Sequence, residues 1–128
     1  MHTIKPMKVI QMRQNNFSKY NDGVVSVYRE KERRTDFSAK QNVSTLDNMD
    51  FIVKLAFEEC AKREQDMDFA EQSGFSLTAK VKTRYVKGVD NKCKAVIDGY
   101  LYDVSHLDRD RRNGELYFYL EGVKQLDS

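Results

Sequence analysis

The groups that could do chemistry in this chain are few. His2 and His106 are its histidines, and Cys60 and Cys93 its cysteines. A nucleophile–histidine device would rest on His106, and no Gly-x-Ser-x-Gly turn accompanies it. His106 reads better as the end of a strand. The cysteines lack Cys-x-x-Cys spacing and read as reduced, half-buried thiols in a cytosolic protein rather than a disulfide. Glu58, Glu59, Glu64, Asp66 and Asp68 could pair as carboxylates for acid–base work, but such residues commonly form the solvated face of a helix. Residues 108–114 approach the composition of a calcium loop. The spacing is wrong, and Arg109, Arg111 and Arg112 would repel the ion, so a charged turn explains them better. There is no glycine-rich phosphate loop. The sequence therefore predicts no enzyme, no metal and no cofactor.

Basic residues form a clearer pattern. Lys80, Lys82 and Arg84 alternate along one predicted strand and share its outward face; Lys87, Lys92 and Lys94 follow it. Such a face suits contact with a phosphate backbone without base reading. Tyr85, Tyr100, Tyr102, Tyr117 and Tyr119 offer stacking surfaces to single strands, or cap the core with their hydroxyls in water.

The elements that must position these groups are mostly strands. Leu77, Ala79, Val81 and Tyr85 alternate with the basic residues and are expected to face a core. Cys93 to Ile97 and Tyr100 to Val104 flank Asp98 and Gly99, a two-residue hairpin turn. Asn113 and Gly114 signal another turn. The run after it, from Glu115 to Glu121, places Leu116, Phe118 and Leu120 on one face. This stretch reads as a β-meander on which the earlier chain must pack, or which it must close. Val81, Ile97, Tyr102, Phe118 and Leu120 are the expected core.

Upstream, residues 8–13 and 24–29 read as strands of a hairpin, with a loop at 16–21 and a turn at Asp22 and Gly23. Residues 51–58 fit either a helix or a strand. Strand alternation is cleaner, with Phe51, Val53, Leu55 and Phe57 on one face. Residues 59–72 are helix formers, and Gly74 sits where a C-terminal cap belongs. Residues 30–48 are polar and longer than an ordinary connection, so they read as a flexible loop, either functional or a surface spacer.

At 128 residues the chain suits a single domain spanning 1–128. No apolar run approaches a membrane span, and no secretory leader is expected. The net charge of +2 is segregated. Residues 1–44 carry nine Lys/Arg against four Asp/Glu, residues 45–75 three against eight, and residues 76–128 ten against eight. This pattern gives either an evenly solvated surface or opposed patches able to attract between copies.

Six segments, in order from about Asn21 to Val123, carry a resemblance. They are Asp22-Gly-Val-Val-Ser-Val-Tyr28, Leu55-Ala-Phe-Glu-Glu59, Lys62-Arg-Glu-Gln-Asp66, Lys80-Val-Lys-Thr-Arg84, Tyr102-Asp-Val104 and Glu115-Leu-Tyr-Phe-Tyr-Leu120. The sequence resembles the head–tail joining, or head-closure (stopper), proteins of long-tailed bacteriophages of Gram-positive hosts. The resemblance implies a mainly β (α+β) fold, a small antiparallel β-barrel with one short helix and a long flexible loop. It further implies a structural virion protein at the head–tail interface, assembled in the host cytoplasm. Its partners would be copies of itself in a ring, the portal and adaptor ring, tail proteins, and packaged double-stranded DNA touched through its backbone. A monomer is expected in isolation. Arg33, Arg34, Phe37 and Lys40 would then belong to a loop facing the channel, where Val43 adds apolar contact. Arg63, Glu64 and Asp66 would lie at a subunit interface. A tail-completion or tail-terminator protein of the same particle, and a nucleic-acid-binding β-barrel, are the alternatives. The long charged segment after Tyr28 departs from the family pattern.

Overall fold

The computed structural model describes residues 19–31 and 46–126. The strand expected at 8–13, its hairpin partnership with 24–29, and loop residues Arg33, Arg34, Phe37, Lys40 and Val43 lie outside them.

Six strands form a closed antiparallel barrel: β1 (Gly23–Glu30), β2 (Met49–Cys60), β3 (Ala79–Arg84), β4 (Cys93–Ile97), β5 (Tyr100–Asp110) and β6 (Glu115–Gln125). One helix, α1 (Glu64–Ser73), interrupts them between β2 and β3, and a 3-10 turn (Leu46–Asn48) leads into β2. Around the wall the order is β1-β2-β3-β6-β5-β4, with β4 returning to β1. The meander is therefore confined to β4, β5 and β6. The strand expected to begin it, β3, pairs instead with β2 and β6. Closure explains this: β3 joins the early strands to the late ones and leaves no outermost strand.

Alternation fills the inside. Val25, Val27, Phe57, Val81, Cys93, Ala95, Val104, Leu116, Phe118 and Leu120 form the buried core. Burying each large side chain contributes about 1.5–3 kcal/mol. Ile97 and Tyr102 pack against the core but are only half-buried. Thr83 is fully buried among these residues, and its hydroxyl donates to the Arg84 carbonyl at 2.9 Å. Cys93 is buried and Cys60 half-buried, both as free thiols. Burial pushes both thiols up from their ordinary range.

Two local devices set the register. Asp98 (φ 51°) and Gly99 (φ 76°) take the left-handed backbone that a two-residue hairpin needs. A bulge in the β1–β2 ladder falls where Val27 faces Val53 but Tyr28 faces Phe51. The extra residue, Ile52, turns toward the core with Val53 and Leu55. Phe51 is thereby sent outward, 57% exposed, contrary to the unbroken alternation expected for 51–57. Gly23 begins β1 because its neighbour across the ladder leaves no room: a Cβ there would lie 2.9 Å from the Phe57 ring.

The helix starts five residues later than its composition suggests, because β2 continues through Glu59 and Cys60 to pair with β3. It ends as expected. Gly74 (φ 83°) donates its N–H to the Glu71 carbonyl, and Phe75 donates to the Ala70 carbonyl. That is a Schellman closure, with Phe75 packed near Ala70. Among the described residues, no helix is long and apolar enough to cross a membrane.

Candidate functional site

The outward face of β3, β6 and β5 is built in rows. Ladder pairing places Cys60, Lys80, Tyr119 and His106 side by side across β2, β3, β6 and β5. The next row is Glu58, Lys82, Tyr117 and Asp108, and a third holds Arg84, Glu115 and Asp110. The basic strand face predicted from alternation is thus the correct face, and Lys80, Lys82 and Arg84 do share it.

Their availability is another matter. Helix α1 lies over the first row. Lys80 is 4% exposed, and its ammonium bonds to the Asp66 carboxylate at 3.1 Å. It also lies over the Tyr117 and Tyr119 rings, 5.3 and 5.1 Å from their centroids. Lys82 is within 4.0 Å of Glu58 and over the Tyr117 ring. Arg84 is exposed but stacks on Tyr20. The three cations face outward as expected, but Lys80 is buried beneath the helix, Lys82 is half-buried and Arg84 is exposed.

Asp66 needs a correction. It was expected on the solvated face of the helix as an interface residue, yet it is buried. One carboxylate oxygen accepts from Lys80 and from the backbone N–H of Arg63 at 3.0 Å, and the other accepts from the Tyr119 hydroxyl at 3.4 Å. Burial alone would raise the Asp66 carboxyl; the Arg63 and Lys80 hydrogen bonds outweigh it and hold the group below the usual carboxylate range. Tyr119 moves the other way, pushed up to about 12 by burial and by the Asp66 charge. The other residues expected at an interface, Arg63 and Glu64, are exposed, and Arg63 also pairs with Asp66 at 3.6 Å.

His106 is not a strand-end residue. It sits mid-strand in β5, its ring 4.7 Å from Phe69 and 5.1 Å from Tyr119. Ala70, Leu77 and Tyr119 complete the apolar seat of the helix. Leu77 is therefore buried outside the barrel, not in its core. Tyr100 and Tyr102 lean on each other at 5.1 Å, and Arg109 stacks over Tyr85 at 3.8 Å.

Beside the helix entry lies an open groove of about 700 Å³. Cys60, Lys80, Tyr117 and Tyr119 line it, with Ala61 and Arg63 from the helix side and residues 108–111 from the β5–β6 hairpin. Sequence reasoning treated 108–114 as a charged turn and missed this convergence. The available signal was the outward phase of Tyr117 and Tyr119, which puts aromatic surface where a strand normally meets water. The Asp110 oxygens accept from the backbone and side chain of Asn113 at 3.2 and 2.8 Å. Among the described residues no group of three or more acidic, histidine or cysteine side chains is arranged to hold a metal.

Among the described residues, no helix lies over the wall on the other side. On β1 and β2, Val24 and Phe51 are 45% and 57% exposed, and Tyr28 meets Phe51 edge to face at 5.6 Å. No protein-family model matches the chain, and no curated protein matches it.

Proposed function

We propose that the protein is a structural part of the head–tail connector of a long-tailed bacteriophage. In this reading it forms a ring below the portal and adaptor, retains packaged DNA and docks the tail. The observation that carries the proposal is the pair of unlike walls on one closed barrel. One wall has a polar groove beside a strapped-down helix; the other, among the described residues, leaves Phe51 and Val24 exposed, with Tyr28 half-buried beside Phe51. A ring needs such unlike surfaces, because each subunit offers one patch to the neighbour before it and another to the neighbour after it. The ordered resemblance of six segments and the barrel-plus-helix fold support the same reading.

The engagement of Lys80 and Lys82 lowers the support for an independent nucleic-acid-binding barrel, which needs free cations along a face. Contact with packaged DNA in the proposed ring would therefore draw on Arg84 and on the loop residues Arg33, Arg34 and Lys40. Electron microscopy of particles assembled without this protein tests the proposal. Heads that have leaked their DNA beside normal free tails are expected. Filled heads with tails of altered length would instead assign a tail-terminator role.

A further inference from the structure

Helix α1 lies on the barrel without being part of its wall. The wall closes beneath it: β2 pairs directly with β3, from Phe57 and Thr83 to Cys60 and Lys80, so lifting the helix breaks no ladder bond. Its connections, 61–63 before it and Gly74 and Ser76 after it, are exposed. The return is pinned at Thr78. Its N–H donates to the Leu120 carbonyl at 2.8 Å, and its hydroxyl oxygen accepts from the Gly122 N–H at 2.8 Å. Lys62 donates to the Thr78 carbonyl at 3.0 Å and so ties the two ends of the excursion together. What holds the helix down is limited. Of its ten residues, Asp66 and Ala70 are the buried ones. Ala70, Phe75 and Leu77 seat on Tyr119, Phe69 leans on His106, and Asp66 reaches Lys80.

We infer that α1 is an acid-released strap: it lifts as a unit from the closed barrel, and the Asp66 carboxylate is its latch. In the closed state Asp66 faces Lys80 from β3 and the Tyr119 hydroxyl from β6, with Arg63 beside it on its own segment. Cys60 of β2 and His106 of β5 share the row of Lys80 and Tyr119, and Glu58, Lys82 and Asp108 stand in the next. A protonated Asp66 no longer balances the Lys80 ammonium, which is left charged and shut away from water. Lifting the helix hydrates both groups. A ten-residue helix that leaves its seat also unwinds, so opening frees its amides. The sign follows from Asp66, whose carboxyl is held below its ordinary value only while the strap is closed. Its hold is full above about pH 4 and fades as pH falls further, by up to about tenfold in the opening constant per pH unit.

The test is amide hydrogen exchange on the intact chain, read residue by residue by NMR and corrected for the intrinsic effect of pH. At neutral pH the α1 amides should exchange at least about tenfold faster than those of Val81 and Phe118, and with a shallower dependence on urea, because partial opening exposes less surface than global unfolding. Below about pH 4 their exchange should show the acid step. Asp66→Asn should raise α1 exchange at neutral pH and remove the step, whereas His106→Gln should keep it. Should Asp66→Asn fail to fold, Asp66→Leu/Lys80→Met, which leaves neither charge beneath the helix, should keep α1 protected with no acid step. Equal protection and equal urea slopes in α1 and the two strands overturn the strap, since helix and barrel would then open only together. An acid step missing from the parent, surviving in the Asp66 variants or lost in His106→Gln overturns the latch. None of these outcomes bears on ring formation through the β1–β2 wall.

Discussion

Tyr119 and Phe51 both occupy outward positions of barrel strands, and they end in opposite states. Tyr119 is 7% exposed, because α1 crosses over it and brings Asp66 to its hydroxyl and Phe69 to its ring. Phe51 is 57% exposed, with Tyr28 against its edge. The two walls share a backbone geometry and an aromatic content. What separates them is a ten-residue helix, too short to hold together in isolation. Its stability comes from what it covers, and that includes a buried ion pair. An outward aromatic residue on a strand is thus a demand for cover, and among the described residues the demand is met at Tyr119 and not at Phe51.

The largest effects should come from breaking the covered wall from below. Asp66→Ala leaves Lys80 buried without its partner and is expected to cost about 3–5 kcal/mol. That rivals Phe118→Ala in the barrel core, also about 3–5 kcal/mol. Urea melts of the two variants provide the comparison. An Asp66→Ala loss below about 1 kcal/mol would mean that the helix lifts off and lets water reach Lys80. Replacing both partners, as Asp66→Leu/Lys80→Met, should recover most of the loss, because the charges then need no compensation.

Acid should act on the same wall. The folded Asp66 carboxyl lies below its unfolded value, so its contribution is full above the unfolded value of about 3.9 and fades as pH falls through the folded one. Tyr119 gives the mirror case: with its phenol raised to about 12, its contribution is full below the ordinary value near 10 and fades as pH climbs toward 12. Stability measured against pH should therefore fall below about pH 4 in the parent and less steeply in Asp66→Asn. Equal slopes in the two proteins would remove Asp66 from the account.

Much of this barrel was legible because its signals are local. Asp98 and Gly99 mark a hairpin within two residues, and alternation alone gives the inward set Leu116, Phe118 and Leu120. Gly74 closes the helix where a cap is expected. What escaped was decided at a distance. Period two correctly turns Lys80 outward, but nothing within β3 announces that residues 64–73 will lie on top of it. Phe51 escaped through the Ile52 bulge, which shifts the phase by one residue without any glycine or proline to mark it. Strand order escaped as well: the β3–β6 pairing joins Lys80 to Tyr119, far apart in sequence, and short-range patterns carry no such information. The groove was hidden for the same reason, since its walls come from β2, the entry to α1 and the β5–β6 hairpin.

The smallest effect on stability is expected at the β1–β2 wall, and it sharpens the comparison most. Phe51 is mostly in water in the isolated subunit, so Phe51→Ser should change stability by no more than about 0.5 kcal/mol. In the proposed ring the same side chain is covered by a neighbour, where burial of a phenylalanine contributes about 1.5–3 kcal/mol per interface. Phe51→Ser should therefore leave urea melts of the subunit nearly unchanged while reducing its incorporation into particles. The paired measurement separates two meanings of exposure. A melt that falls by more than about 1 kcal/mol would show that Phe51 and Tyr28 hold the β1–β2 ladder together at its bulge. An unchanged melt with unchanged incorporation would make the exposed ring an ordinary surface residue, and the subunit contacts would then have to be sought at Glu64, Arg63 and the covered wall.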